Sequence, residues 1–188
     1  MVPKEYYGRL FTKEQLPVDY HSEAFTLESM IKVDKQLRCK RCYSQIEEDW
    51  QLPGGQYYCR ACIVFGRNQE GKELYYFPSK TSEIEFPVLK WLGELTPYQA
   101  EVSEKLLETY QKQKDSLVHA VTGAGKTEMI YKIVAYVLGN KGRVAIASPR
   151  VDVCRELFLR MQRDFTCSIS LLHAESEPYD GSPLVIAT

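Results

Sequence analysis

Four of the six cysteines form two C-x-x-C pairs, and this arrangement constrains the fold of the chain more than any other feature. The pairs are Cys39 with Cys42 and Cys59 with Cys62, and sixteen residues separate them. Six cysteines scattered at random would produce two such pairs on the order of 1% of the time. Four thiolates on two short turns are typical of a tetrahedral Zn²⁺ site, with iron in the same sulfurs as the main alternative. We therefore predict a zinc-binding four-cysteine module.

The predicted module spans residues 36–77 and contains short aromatic runs around turns. Trp50–Leu52, the turn Pro53–Gly55 and Gln56–Tyr58 indicate a hairpin that leads into the second cysteine pair. Glu73–Phe77 has the pattern of another strand. A module of this size buries too little apolar surface to fold alone, so we expect the metal to supply its folding free energy.

Basic and aromatic residues accompany the cysteines and leave two interpretations open. They are Lys32, Lys35, Arg38, Lys40, Arg41, Trp50, Tyr57 and Tyr58. Cations and aromatic rings together can bind single-stranded nucleic acid through charge and stacking. Alternatively, the cations form a solvated face that offsets the net negative charge of Zn²⁺ with four thiolates.

The composition is that of an ordinary globular protein in water and argues against a disordered or fibrous chain. Of the 188 residues, 44% are hydrophobic and 26% are charged. The best apolar run, Ile133–Leu138, is far shorter than the ~20 residues of a membrane span, and the N-terminus lacks an apolar secretion signal. With a net charge of −1, any contact with DNA must come from local clusters. We therefore expect a cytoplasmic protein.

The second part of the chain alternates short apolar strands with amphipathic helices. The predicted strands are Leu117–Val121, Val144–Ala147, Ile169–Leu172 and Leu184–Ala187. This alternation predicts an α/β fold whose parallel sheet is covered on both faces. Because the sequence stops at Thr188 inside the last predicted strand, we expect the chain to be cut short.

The proline and glycine pattern divides the chain into four parts. We predict an N-terminal extension (1–35), the four-cysteine module (36–77), a linker (78–90) and the βα-repeating domain (91–188).

A glycine-rich loop between a predicted strand and a helix indicates a nucleotide site. The loop consists of Thr122, Gly123, Ala124 and Gly125. Its two glycines let the backbone curl so that consecutive N–H groups face phosphates at a helix N-terminus. Lys126 can reach the β- and γ-phosphates of ATP, and the Thr127 hydroxyl can ligate Mg²⁺. The strict pattern has glycine where this chain has Ala120, so the match is partial. The alternative is a simple glycine turn before a helix.

These residues resemble a known family. Ala120–Thr127, preceded by Leu95–Gln99 and followed by Ala147–Arg150, is similar to the first motor domain of superfamily 2 DNA helicases. With the four-cysteine module in front, and with Val118–Tyr131 and Leu172–Tyr179, the chain resembles the ComFA family of late competence proteins, most of all its streptococcal members. The resemblance covers nearly the whole chain and implies a partial RecA-like P-loop domain in residues 91–188.

The resemblance implies roles for further residues. Gln99 would read adenine, since a side-chain amide can pair with N6 and N7; the alternative is a polar residue at a helix start. Ser148 and Arg150, just beyond the carboxyl end of a strand, would contact the DNA backbone. In the alternative interpretation, Ser148 caps a helix and Arg150 is solvated. Thr188 ends a segment that resembles another backbone-contact motif.

The resemblance also implies an activity and partners. The family uses ATP and Mg²⁺ to drive transforming single-stranded DNA through the ComEC membrane channel, with ComFC as a second competence partner and membrane contact only through proteins. This sequence lacks the Asp-Glu box and the second motor domain, so we expect weak or absent ATPase activity from residues 1–188 alone. Two other interpretations stay open: a zinc-ribbon binding module with a non-hydrolysing nucleotide-binding scaffold, and a P-loop transferase or kinase.

Overall fold

The computed structural model describes residues 2–79, 84 and 86–188. They form two compact units, Met1–Lys80 and Thr81–Thr188. Within the predicted linker (78–90), residues 80–83 and 85 lie outside the described residues. Beyond them, Val88 is buried in the core of the second unit, and Leu89 forms a bridge with Phe165. Residues 86–90 therefore belong structurally to the second unit.

An antiparallel three-stranded sheet lies in the first unit. Its strands are β1 (Leu10–Thr12), β2 (Phe25–Glu28) and β5 (Glu73–Tyr76), in the order β1-β5-β2. The predicted strand at Glu73–Phe77 is thus confirmed as β5, and both of its neighbours come from the first 35 residues. Phe11 and Phe77 are buried in an aromatic cluster beside this sheet.

A hairpin in the first unit leads directly to the first cysteine. It consists of β3 (Met30–Val33) and β4 (Gln36–Cys39), joined by Asp34 and Lys35. Both turn residues have positive φ angles, +48° and +67°. This conformation is typical of tight two-residue hairpin turns, whose twist matches that of the paired strands. Cys39 is the last residue of β4 and is fully buried.

The second unit is an α/β layer structure with a parallel sheet. Its elements are α1 (Pro97–Gln111), α2 (Lys126–Met129), α3 (Tyr131–Gly139), β6 (Val144–Ala147), α4 (Val151–Asp164), β7 (Ile169–Leu172) and β8 (Leu184–Ala187). The strands pair in the order β6-β8-β7, all parallel, and the last three predicted strands are confirmed. The core between sheet and helices includes Leu138, Cys154, Met161 and Ile186. In the described part of the chain, no helix has the length and apolar character needed to cross a membrane.

The predicted strand Leu117–Val121 is wrong. This segment is irregular and pairs with no strand among the described residues. Leu117 is 96% exposed and Val121 is 78% exposed, so the apolar run packs against little. A strand requires a neighbour for its backbone hydrogen bonds, and β6 is paired only with β8 in the described sheet.

Candidate functional site

The four predicted zinc ligands come together in the first unit. The Sγ atoms of Cys39, Cys42, Cys59 and Cys62 all lie within 4.8 Å of one another. Cys39 and Cys62 are 3.7 Å apart, and Cys42 and Cys59 are 3.5 Å apart. A tetrahedron with Zn–S bonds of about 2.3 Å has sulfur–sulfur edges of about 3.8 Å. The cluster therefore fits a Zn²⁺ ion.

Two backbone arrangements bring the two cysteine pairs to one point. After β4, the chain turns back through Tyr43, whose N–H donates to the Cys39 carbonyl oxygen at 2.8 Å. The second pair follows the predicted hairpin, which is confirmed by the antiparallel bridge between Gln51 and Tyr57. Cys59 is then tied in place because its N–H donates to the carbonyl oxygen of Asn68 at 2.9 Å.

The electrostatics of the cluster favour a bound cation. Burial raises the pKa of the Cys59 thiol, and burial likewise raises the pKa of Cys62 although Arg41 opposes it. Burial also acts on Cys42, but hydrogen bonds with Ser44 and with the neighbouring thiols outweigh it and lower its pKa to about 7. Cys39, Cys59 and Cys62 are buried, and stabilising thiolates there requires positive charge, which a metal ion supplies.

In the second unit, the predicted loop forms a left-handed bend at the start of a helical segment. Gly123 and Gly125 have φ of +81° and +76°, a conformation that side chains with Cβ rarely adopt. A Cβ on Gly125 would lie only 2.4 Å from Nε2 of Gln99. Beyond the loop, α2 and α3 are separated only by Ile130, which itself has right-handed helical torsion angles.

The lysine that begins α2 lies against the loop. Lys126 Nζ donates to the carbonyl oxygens of Val121 at 2.8 Å and Ala120 at 3.2 Å. Lys126 is exposed and Thr127 is half-buried. The ammonium and the hydroxyl thus belong to consecutive residues at the helix start.

Gln99 is positioned by the capping box of α1. Thr96 caps the helix, and its backbone N–H donates to Gln99 Oε1 at 2.9 Å. The same amide donates from Nε2 to the carbonyl oxygen of Ala124, also at 2.9 Å. One N–H and one oxygen lone pair of the amide are not used in these two bonds, and the adenine edge requires one donor and one acceptor.

An ion-pair network joins the helix after the loop to α4. Glu128 Oε1 accepts a hydrogen bond from Arg160 at 3.0 Å, so this acid pairs with α4 as well as lying in a first helical turn. Beside it, the Tyr131 hydroxyl donates to buried Asp164 at 2.6 Å. Sequence reasoning missed these partners, because only the packing of the two helices brings them together.

Hydrogen bonds set the ionisation of Asp164. Arg163 lowers the pKa of Asp164, and Tyr131 adds to this effect while burial opposes it. Burial, followed by the proximity of Asp164, raises the pKa of Tyr131. The ionised carboxylate is therefore the stable form at neutral pH.

The residues with predicted DNA contacts lie at the carboxyl ends of the strands of the parallel sheet. Ser148 and Thr188 directly follow β6 and β8, and the Ser148 N–H donates to the Ala187 carbonyl oxygen at 3.0 Å. Arg150 is exposed, and its Nε donates to Asp152 at 3.2 Å. The structure thus brings Ser148, Arg150 and Thr188 to neighbouring positions at the carboxyl ends of strands, where open α/β sheets bind ligands.

Comparison with known proteins gives one family model and two similar proteins. Residues 92–178 match the family model described as "Type III restriction enzyme, res subunit", a helicase-like domain that fits the partial RecA-like fold. The chain is 54% identical to competence protein ComFA of Streptococcus pneumoniae over 98% of its own length, and 32% identical to competence protein ComFA of Bacillus subtilis over 95%. No solved structure matches.

The shared region is only part of these relatives. The chain spans 42% of the length of the first relative and 40% of the second. The aligned region covers almost the whole chain and therefore spans both the cysteine cluster and the glycine loop. In the region it covers, the chain is thus similar to the ComFA competence proteins of these two species.

Proposed function

We propose that the chain is part of an ATP-driven motor that moves single-stranded DNA. The observation that carries this proposal is the glycine loop, in which left-handed Gly123 and Gly125 lead into a helix that begins with Lys126 and Thr127. Such a loop presents backbone N–H groups, an ammonium and a hydroxyl to the same place, as a nucleoside triphosphate with Mg²⁺ requires. The match to a helicase-like family model supports the same proposed function.

Each residue of the loop has a proposed task. When the nucleotide binds, the Lys126 ammonium leaves the loop carbonyl oxygens and contacts the β- and γ-phosphates, while Thr127 ligates Mg²⁺. Residues 122–125 bind phosphate oxygens through their N–H groups, and Gln99 reads adenine with the remaining donor and acceptor of its amide.

The DNA strand is proposed to lie along the carboxyl edge of the sheet. Ser148, Arg150 and Thr188 offer hydroxyl and guanidinium groups, which suit phosphate contacts that are independent of base sequence. The pair between Arg150 and Asp152 is exposed, with 69% and 66% of the side chains accessible. Exposed pairs contribute little to stability, so Arg150 can exchange the carboxylate for a phosphate at small cost.

The names of the relatives suggest the substrate and partners. Both are competence proteins, so we propose that the strand is transforming DNA and that the motor, located in the cytoplasm, drives it through the ComEC channel, with ComFC as a further partner. Contact with the membrane would then be made only through proteins. Zn²⁺ in the four-cysteine cluster stabilises the first unit.

Hydrolysis needs more than the loop. A carboxylate pair that holds Mg²⁺ and an arginine that stabilises the developing charge are required as well. We therefore expect residues 1–188 alone to bind nucleotide but to hydrolyse it weakly or not at all.

The test is ATP turnover by the full-length product of the gene, with and without single-stranded DNA. We expect DNA to stimulate turnover, Lys126→Ala to lower it by roughly 100-fold or more, and the exposed Lys114→Ala variant to match the wild type. Turnover that neither single strands nor Lys126→Ala affects would overturn the proposal. Phosphate transfer to a small acceptor without stimulation by DNA would favour a kinase, and nucleotide binding without turnover a scaffold.

A further inference from the structure

Arg41 lies inside the first cysteine turn, but its guanidinium is directed at the second. Nη2 and Nε donate to the Sγ atom of Cys62 at 3.1 and 3.3 Å. The side chain is half-buried, unlike that of its neighbour Lys40, which is exposed. Arg41 is therefore held by the metal cluster and differs from the other basic residues around it.

The same guanidinium also binds the backbone beyond Cys62. It donates to the carbonyl oxygens of Cys62 at 2.8 Å and Phe65 at 2.6 Å, and to that of Gly66. One planar group thus links the first cysteine turn to the short helix Ile63–Phe65 that follows the second. Three carbonyl groups and one sulfur are satisfied by a single side chain.

Charge gives this contact a direct relation to the metal. Zn²⁺ with four thiolates carries a net negative charge, and N–H groups that donate to a coordinating sulfur stabilise that charge. Arg41 adds a permanent positive charge at Cys62, and Asn68 provides a neutral counterpart because its Nδ2 donates to the Cys39 sulfur at 3.1 Å. Lysine could supply the charge but not the planar set of N–H donors.

We propose that Arg41 is a positioning residue of the zinc centre, which retains the metal by hydrogen-bonding Cys62 and by fixing the backbone of residues 62–66. The inference does not depend on DNA movement or ATP hydrolysis. It also removes Arg41 from the basic residues available for nucleic acid, since each of its three guanidinium nitrogens already donates within the fold.

The test measures zinc retention by the full chain. Competition with a chromogenic chelator gives the zinc affinity, and the rate of alkylation by a maleimide gives the accessibility of the bound cysteines. We expect Arg41→Ala to weaken zinc binding by roughly 10- to 100-fold and to speed alkylation, while the matched variant Lys40→Ala matches the wild type.

Arg41→Lys is the decisive variant, because it keeps the charge and is less disruptive than alanine. We expect it to lose most of the same affinity, about 10-fold or more, since it lacks the planar donors. Wild-type retention by Arg41→Lys would overturn the proposed fork of hydrogen bonds. Equal losses in Arg41→Ala and Lys40→Ala would overturn it too, because they would indicate a general effect of positive charge.

Discussion

The side-chain amide of Gln99 donates a 2.9 Å hydrogen bond to the carbonyl oxygen of Ala124, so the start of α1 is tied directly to the glycine loop. The opposite end of the amide accepts from the Thr96 N–H. Gln99 therefore holds the loop whether or not it also contacts a base.

Gln99→Ala tests both roles in the full-length protein. Loss of the loop contact should weaken ATP and GTP alike, and loss of base reading should weaken ATP further, so we expect the preference for ATP to fall. Fluorescence titration with labelled nucleotides measures both affinities, and Gln111→Ala at the end of the same helix serves as the control. Equal weakening of ATP and GTP would mean that Gln99 acts only through the loop.

The two glycines of the loop should respond differently to alanine. Both have positive φ, which costs about 1–2 kcal/mol in an L-residue and roughly 10-fold in ATP affinity. A Cβ on Gly125 would also meet Gln99 Nε2 at 2.4 Å, whereas nothing lies within 4 Å of a Cβ on Gly123. We therefore expect ATP binding to be weaker in Gly125→Ala than in Gly123→Ala.

A double variant separates the clash from the backbone strain. Because the clash partner is absent in Gly125→Ala/Gln99→Ala, its loss of ATP affinity should be smaller than the sum of the two single losses. Full additivity in isothermal titration calorimetry would show that the contact between the two residues is unimportant.

Removal of zinc should act on the first unit alone. The buried core around the metal site is small and contains few apolar residues besides Met30 and Ile46, which pack with Cys39, Cys59 and Cys62. The metal is therefore expected to contribute much of its stability. After chelation we expect faster amide hydrogen exchange in β3, β4 and residues 57–69, with exchange in α3 and α4 and nucleotide binding unchanged.

Cysteine variants provide the matching comparison. Cys59→Ser should lower the zinc content, whereas Cys167→Ser, in the second unit and outside the cluster, should leave it unchanged. Zinc content is measured by atomic emission. Full zinc occupancy in Cys59→Ser would contradict a four-thiolate site.

Asp164 should make the second unit sensitive to acid. Its pKa in the folded state lies below the ordinary value of 3.8, mainly because of Arg163. The stabilisation it provides is therefore complete above that value and is lost as the pH falls through the lower folded pKa. The stability of this unit can be followed by hydrogen exchange in α3 and α4, from about two pH units above pH ~4 to about two units below it.

Asp164→Asn should be less stable at neutral pH but should show a flatter acid response than the wild type. Asp152→Asn is the control, since the Asp152 pKa is also lowered by an arginine but the pair is exposed. An acid response that Asp164→Asn leaves unchanged would assign it to other carboxylates.

Sequence patterns were sufficient for the features that depend on local spacing. The C-x-x-C pairs predicted the cluster because each short turn directs two sulfurs at one point. The two glycines predicted a curled loop, and the structure shows this as positive φ angles, which glycine adopts without strain. Three strands of the parallel sheet were confirmed for the same reason, since each is a short apolar run between helices.

Pairing and packing between distant residues were decided only by the tertiary structure. Leu117–Val121 has the residues of a strand but no partner among the described strands. In contrast, β5 pairs with two strands from the first 35 residues, where the sequence predicted only an N-terminal extension. Likewise, the sequence by itself made Arg41 one of several cations. The fold alone directs its guanidinium at Cys62, because the direction of a long side chain depends on which groups lie within its reach.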